Sequence, residues 1–411
     1  MRVLIVSQYF WPESFRINDL ALGLKQRGHI VEVLTAMPNY PSGHFLPGYG
    51  CFTPASELYE GIPVKRIPIV ARGSRRSWQL AANYASFILS ASLLGPLRCR
   101  GNYDVVFVYE PSPVTVALPG LVMKALKRAP LLFWVQDLWP ESLSATGAVQ
   151  SPWVLRQVRK LVDFIYRRCD HVLVSSKGFT GHVAASGLNK QRISHVPNWA
   201  ESLYRPLDAT PVSVLAELPP GFKVMFAGNI GSAQSFETIL AAADKLRAFP
   251  EIQWIVLGDG HLKPWVEEQV RQYGLERQFH LLGQRPMESM PGYFSAADAL
   301  LVTLRASPVF ALTVPSKVQS CLACGRPIIA ALNGEGADIV MASGAGLACP
   351  AEDPERLAET VLSLYKMSHE ERQAMGRNGR AYFEAHFERE LVIGKIEQLM
   401  NSATREYTCA S

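Results

Sequence analysis

The chain has 411 residues, 48% of them hydrophobic and 19% charged, with a formal net charge of +5. That length accommodates two or three domains with sizeable cores, and that composition excludes a disordered chain. The mild basic excess gives no ground for a nucleic-acid partner, and seven dispersed cysteines point to a reducing compartment rather than a disulfide scaffold.

Apolar, β-branched runs alternate with helical patterns along nearly the whole chain. The first half predicts strands at Val3–Ser7, Val31–Thr35, Val64–Ile69, Val105–Tyr109, Leu131–Gln136, His171–Ser175 and Ile193–Val196. The second half predicts Lys223–Ala227, Gln253–Leu257, Phe279–Leu282, Ala299–Leu304, Pro327–Ala331 and Gly346–Ala348. Continuous rather than alternating runs suit parallel strands covered on both faces, hence an α/β protein. Between Asn198 and Gly221 the rhythm breaks in a proline-bearing segment without a strand, read as a linker. The expected division is therefore a doubly wound domain over 1–200, a second over 201–385, and a helical tail over 386–411 that crosses back to the first. No secretory leader precedes the first strand, so a cytoplasmic location is expected.

Arg72, Arg75, Arg76 and Trp78 precede an apolar stretch, Ala82–Leu97, which ends on Arg98 and Arg100. It is short for a bilayer span, and its basic flanks suit a membrane interface, so residues 72–100 are expected to meet a membrane surface.

Candidate chemistry gathers where strands end. In the second half, Gly228, Asn229, Gly231 and Ser232 follow one strand, and Gly258, Asp259 and Gly260 follow the next. Arg305 ends the strand from Ala299. A short helix over Ser316–Ala323 opens after Pro315 with Lys317 in its first turn. Glycines admit close approach of a ligand to the backbone, and a helix N-terminus flanked by two cations favours a diphosphate. In the first half, Glu13 and Ser14 follow the first strand, Asn39 and Tyr40 lie in the loop MPNYPSG, and Glu110 ends a strand beside Asp137, Trp139 and Glu141. A carboxylate such as Asp137 at a strand end can orient or deprotonate a hydroxyl, or simply cap the next helix. No GxGxxG follows the first strand, which argues against a nicotinamide or flavin. Cys321 and Cys324 form a lone CxxC and the histidines are dispersed, so no metal site is expected.

The segments QYFWPES, GLKQRGHIVEVLTAMPNYPSG, WVQDLWPESL, VPNWAE, FAGNIG, VLGDG and VPSKVQSCLACGRPII together resemble glycosyltransferase family 4 across essentially the whole length. The resemblance implies a GT-B fold, two facing Rossmann-like domains with an interdomain cleft. It implies a retaining hexosyltransferase of the branch that builds bacterial lipopolysaccharide O-antigen and exopolysaccharide, including transferases of L-fucose and N-acetyl-L-fucosamine. By that resemblance the second domain binds a nucleotide sugar, UDP rather than GDP, through Lys317, Arg305, the glycine loops, Asn198, Pro315, Ser316 and Ser320. The first domain binds a polyprenyl-diphosphate-linked acceptor at the inner face of the plasma membrane, with Asp137 beside the reacting sugar and no cofactor or metal. The chain departs from the family pattern in carrying Leu312 and Ser320 where relatives often have two glutamates, and Asn229 and Gln234 where they have Arg and Lys. A nucleotide-sugar epimerase of the same fold and a catalytically silent assembly subunit stay open as alternatives.

Overall fold

The computed structural model describes the whole chain except residues 51–52, 54, 74–76, 146, 148 and 411. Arg75 and Arg76 of the expected basic flank thus lie outside the described residues. The chain forms two compact units, Met1–Val196 with Ile393–Ser411, and Pro197–Val392.

The first unit is built on β1 (Arg2–Val6), β2 (Ile30–Ala36), β3 (Ser56–Tyr59), β4 (Ile62–Ile67), β5 (Val105–Glu110), β6 (Leu131–Val135), β7 (His171–Val174) and β8 (Ile193–His195), in the order β3-β4-β2-β1-β5-β6-β7-β8. All neighbours run parallel except β3 and β4. Val3, Leu4, Ile5 and Val6 of β1 are wholly buried, as a central strand covered on both faces requires. The edge strand β3 has no apolar run to announce it. It is held instead by Arg66 of β4, which is fully buried, ion-pairs with Glu57 of β3, and donates to the carbonyls of Ala36 and Trp11.

The second unit contains β9 (Phe222–Ala227), β10 (Ile252–Leu257), β11 (Phe279–Gly283), β12 (Ala299–Thr303), β13 (Ile328–Ala331) and β14 (Gly346–Cys349), all parallel, in the order β11-β10-β9-β12-β13-β14. Successive residues of each strand enter opposite cores. Val224, Phe226, Trp254, Val256 and Leu301 pack on one face, and Met225, Ile255, Leu257, Leu300 and Val302 on the other. The expected linker is part of this unit. Its helix Val212–Glu217 seats Val214 in the core, and Glu217 accepts from Tyr293 Oη at 2.6 Å and Arg285 Nη2 at 3.0 Å.

The final helix, Arg389–Ala410, joins the first unit from Ile393 onward. There Glu397 accepts from Arg27 at 3.0 Å and pairs with His29 at 2.9 Å, and Thr404 donates to the Asp104 carbonyl at 3.3 Å.

In each sheet the winding reverses once, between β1 and β5 and between β9 and β12. Open α/β sheets bind ligands at the carboxyl ends of strands flanking such a reversal. Glu110 ends β5, and Gly228 and Arg305 follow β9 and β12.

The buried Arg66 ties β3 to the sheet, so Glu57→Ala should destabilise the first unit by about 3 kcal/mol, the cost of leaving a buried cation unpaired. Urea unfolding followed by circular dichroism measures it, and an unchanged midpoint would assign β3 to other contacts.

Candidate functional site

In the second unit the site grows from the loop after β9. Gly228 holds φ at +137°, and a Cβ placed there would lie 2.6 Å from Cε and 2.9 Å from Nζ of Lys317. Glycine is therefore required both for the backbone turn and for passage of the lysine. Lys317 is in the first turn of the helix Ser316–Ala323, whose N-cap, Pro315, supplies no side-chain hydrogen bond. Its Nζ donates to Gln234 Oε1 at 2.8 Å and sits 3.8 Å from the centre of the Phe226 ring. Removal of the ammonium from water pulls its pKa down to about 7. The site thus presents an uncapped helix end and a half-discharged lysine, a combination that an anionic ligand would charge fully.

The remaining candidates of this unit divide. Gly258, at φ +143°, lets β10 turn directly against the Gly228 carbonyl, and Gly260 packs beside Ile230 and Asn229. These two glycines shape the loop, Gly231 leaves room for the Asn229 amide, and the exposed Asn229, Ser232 and Asp259 form its open rim. Arg305 pairs with Glu237 at 2.9 Å and lies 3.9 Å from Glu352, so its charge is already shared between two carboxylates. Ser316 is exposed, and Ser320 returns its hydroxyl to the Ser316 carbonyl at 3.3 Å. Asn198 lies at the very start of the unit, half-buried. Sequence reasoning missed Phe226, Glu237 and Glu352 as partners of the two cations. Nothing in their spacing signals those contacts.

In the first unit, Glu13 is buried and its Oε1 accepts from the N–H groups of Asn39 and Tyr40, both at 2.7 Å. It therefore clamps the loop 37–43, and Ser14 stands exposed beside it. Asn39 is fully buried and accepts from the Arg72 N–H at 3.1 Å. Tyr40 is 40% exposed and packs near Phe15 and Tyr9. Arg72, the first residue of the expected membrane flank, lies over the Tyr9 and Tyr40 rings and donates to Tyr9 Oη at 2.9 Å.

Glu110 and Asp137 come together at the ends of β5 and β6. Glu110 is wholly buried, and its Oε2 accepts from the N–H groups of Gln136 at 3.3 Å and Asp137 at 3.4 Å, while Oε1 has no partner. Burial, with the nearby Asp137 charge, holds the Glu110 carboxyl well above the usual carboxylate range. Burial also raises Asp137, against the hydrogen bonds it receives from Ser142 and the Leu138 N–H. Trp139 is 9% exposed next to them, and Glu141 ion-pairs with Arg159. The arrangement is two adjacent buried carboxyls, both raised by burial and Glu110 the more so, a pair able to orient a hydroxyl.

Among the described residues no group of three or more His, Cys, Asp and Glu is placed to hold a metal ion.

Two Rossmann-like units of this kind constitute the GT-B fold of glycosyltransferases. The pattern "Glycosyl transferase 4-like domain" matches residues 14–199, and "Glycosyl transferases group 1" matches residues 216–382. The probable glycosyltransferase WbjE of Pseudomonas aeruginosa is 28% identical over 301 residues, 70% of this chain and 72% of its own. The colanic acid biosynthesis glycosyl transferase WcaI of Escherichia coli K12 is 25% identical over 340 residues, 79% and 82% of the two chains. Anabaena HepE in complex with UDP superposes over 98% of this chain and 100% of its own, with a TM-score of 0.70 at 16% identity. The chain belongs to the GT-B glycosyltransferases of family 4.

A carboxyl whose pKa is raised on folding contributes most below its unfolded value, near 4.3, and that contribution is lost as pH rises toward the folded value. Glu110→Gln should therefore match the parent near pH 4.5 and exceed it in thermal stability at pH 8, by about 1.4 kcal/mol for each unit by which folding raises the Glu110 pKa. Differential scanning fluorimetry across pH reads this, and parallel curves for parent and variant would show that Glu110 ionises freely.

Proposed function

We propose that the chain transfers a sugar, L-fucose or N-acetyl-L-fucosamine, from a uridine diphosphate donor to a polyprenyl-diphosphate-linked saccharide, with retention of configuration, in bacterial O-antigen or exopolysaccharide assembly. The observation that carries this reading is Lys317, an ammonium held against Gly228 at an uncapped helix start beside the winding reversal of the second sheet. UDP in the HepE structure and the colanic acid role in the name of WcaI support the donor and the process.

In the proposed reaction the bond from the anomeric carbon to the β-phosphate oxygen breaks, and its electron pair leaves with the nucleoside diphosphate. Lys317 and the helix N–H groups hold that developing charge. The acceptor oxygen bonds to the same face of the anomeric carbon, and its proton passes to the departing phosphate oxygen. Asp137, beside the buried Glu110, orients the acceptor hydroxyl. No step calls on a cofactor or a metal ion. The protein works at the cytoplasmic side of the plasma membrane, where residues 72–100 meet the surface that carries the acceptor.

Transfer of radiolabel from UDP-sugars into a lipid extract is the direct test. Label that appears only in a soluble epimer, or nowhere, would overturn the proposal. Lys317→Ala should weaken UDP binding by about 1.5–3 kcal/mol, the worth of a charge-assisted hydrogen bond. Asp137→Asn should lower turnover about a hundredfold or more with UDP affinity unchanged. Equal loss of both would make Asp137 a structural residue.

The lysine also predicts a pH dependence. Free Lys317 loses its proton near pH 7, and a bound diphosphate raises that pKa. UDP affinity attributable to Lys317 is therefore full below pH 7. It falls by up to about tenfold per pH unit above, because binding must then take up a proton. Calorimetry at pH 8 in buffers of different ionisation enthalpy should show proton uptake in the parent and none in Lys317→Met.

A further inference from the structure

Three helices of the first unit, Ser77–Arg98, Ala117–Lys127 and Pro152–Arg168, pack side by side as one layer on the sheet. The first is long and apolar enough to cross a bilayer, with 22% of its most apolar stretch buried. One stripe of it is committed inward. Asn83, Phe87 and Ala91 are fully buried, and a Cβ on Gly95 would lie 2.8 Å from Leu34 and 3.6 Å from Met123. The opposite stripe recurs every fourth residue and is open: Ala81, Ala85, Leu89, Leu93 and Leu97, with Trp78 at its head. Leu89, Leu93 and Leu97 are each more than 60% exposed.

The third helix repeats the theme with charge. Its exposed line runs Trp153, Arg156, Lys160, Phe164 and Arg167, and Arg168 lies over the Phe164 ring at 5.2 Å. Neither of the other two helices carries an acidic residue, and the third carries only Asp163. Exposed leucines and tryptophans interleaved with unopposed cations match a bilayer whose headgroups are anionic. A second copy of this chain suits the face poorly, since a twofold contact would set these cations against each other.

We propose that this three-helix layer is a membrane-docking face. The helix Ser77–Arg98 lies flat in the headgroup region rather than crossing it, and Arg156, Lys160 and Arg167 bind anionic lipid. This rests on the reading of a lipid-linked acceptor, and extends the contact from residues 72–100 to the helix Pro152–Arg168.

Sedimentation of the full chain with vesicles of phosphatidylcholine alone or mixed with phosphatidylglycerol tests it. Binding to the mixed vesicles is expected, weakening with salt and accompanied by a blue shift of tryptophan emission. The paired change Leu89→Gln and Leu93→Gln, and separately Arg156→Gln with Lys160→Gln and Arg167→Gln, should each reduce partitioning at least tenfold, with circular dichroism and UDP binding unchanged. Equal binding to both vesicle types, undiminished binding of the variants, or light scattering that shows a dimer split by the leucine changes would overturn it. Vesicle binding needs neither donor nor acceptor, so a docking protein that transfers no sugar would sink the transferase reading and leave this face standing.

Discussion

The second unit is organised around a lysine ammonium placed where water is scarce. Its position is set by three neighbours: Phe226 below, the side-chain Oε1 of Gln234 beside it, and the missing side chain of Gly228. A ring face and one neutral acceptor offset only part of the lost hydration, so the charge remains costly and the pKa falls. A free-energy cost of that kind is recovered when an anion arrives, so an anionic ligand is favoured there without a preformed ion pair. Arg305 works differently. Paired with Glu237 and near Glu352, it would have to leave carboxylates to meet another anion, so its net contribution there is smaller than its formal charge suggests.

The first unit uses the same physics with opposite sign. Two backbone N–H groups steady Glu110, but full burial and the adjacent Asp137 leave the pair able to hold one negative charge comfortably, not two. Burial raises both carboxyls, Glu110 the further from its usual range, and Asp137 accepts from Ser142 and the Leu138 N–H. Glu13 shows a third use of a buried carboxyl. With its Oε1 receiving two loop N–H groups, it fixes the backbone of residues 37–43 and is oriented away from chemistry of its own.

Most of the fold was legible because parallel strands buried on both faces must be written as unbroken apolar runs. β6, β12 and β13 follow that rule, as do β1 after Arg2 and β5 up to Glu110, while β9 and β10 follow it past Lys223 and Gln253. The strand β3 was not legible, since SELY is a polar edge whose pairing depends on Arg66, nine residues from Glu57 and equally unremarkable in sequence. The segment 198–221 read as a linker because prolines hide its short helix, while its docking on Tyr293 and Arg285 is a matter of side chains far along the chain. In the site, glycines, Lys317 and strand-end carboxyls were visible because local geometry demands those residue types. What each one touches was not. The partners of Arg305 and Arg72 are separated from them by tens of residues, and no local pattern encodes such contacts.

The departure of the loop after β9 from the family pattern follows from the same geometry. Gln234 Oε1 meets Lys317 Nζ at 2.8 Å, so a lysine at that position would bring a second ammonium toward one that burial already depresses. Two such cations would share the site most readily with an anion between them. The glutamine removes that repulsion and supplies an acceptor, so the loop is stable before a ligand binds. The expected consequence is a loop that keeps its shape when empty and offers an anion one lysine and the helix end rather than a cluster of cations.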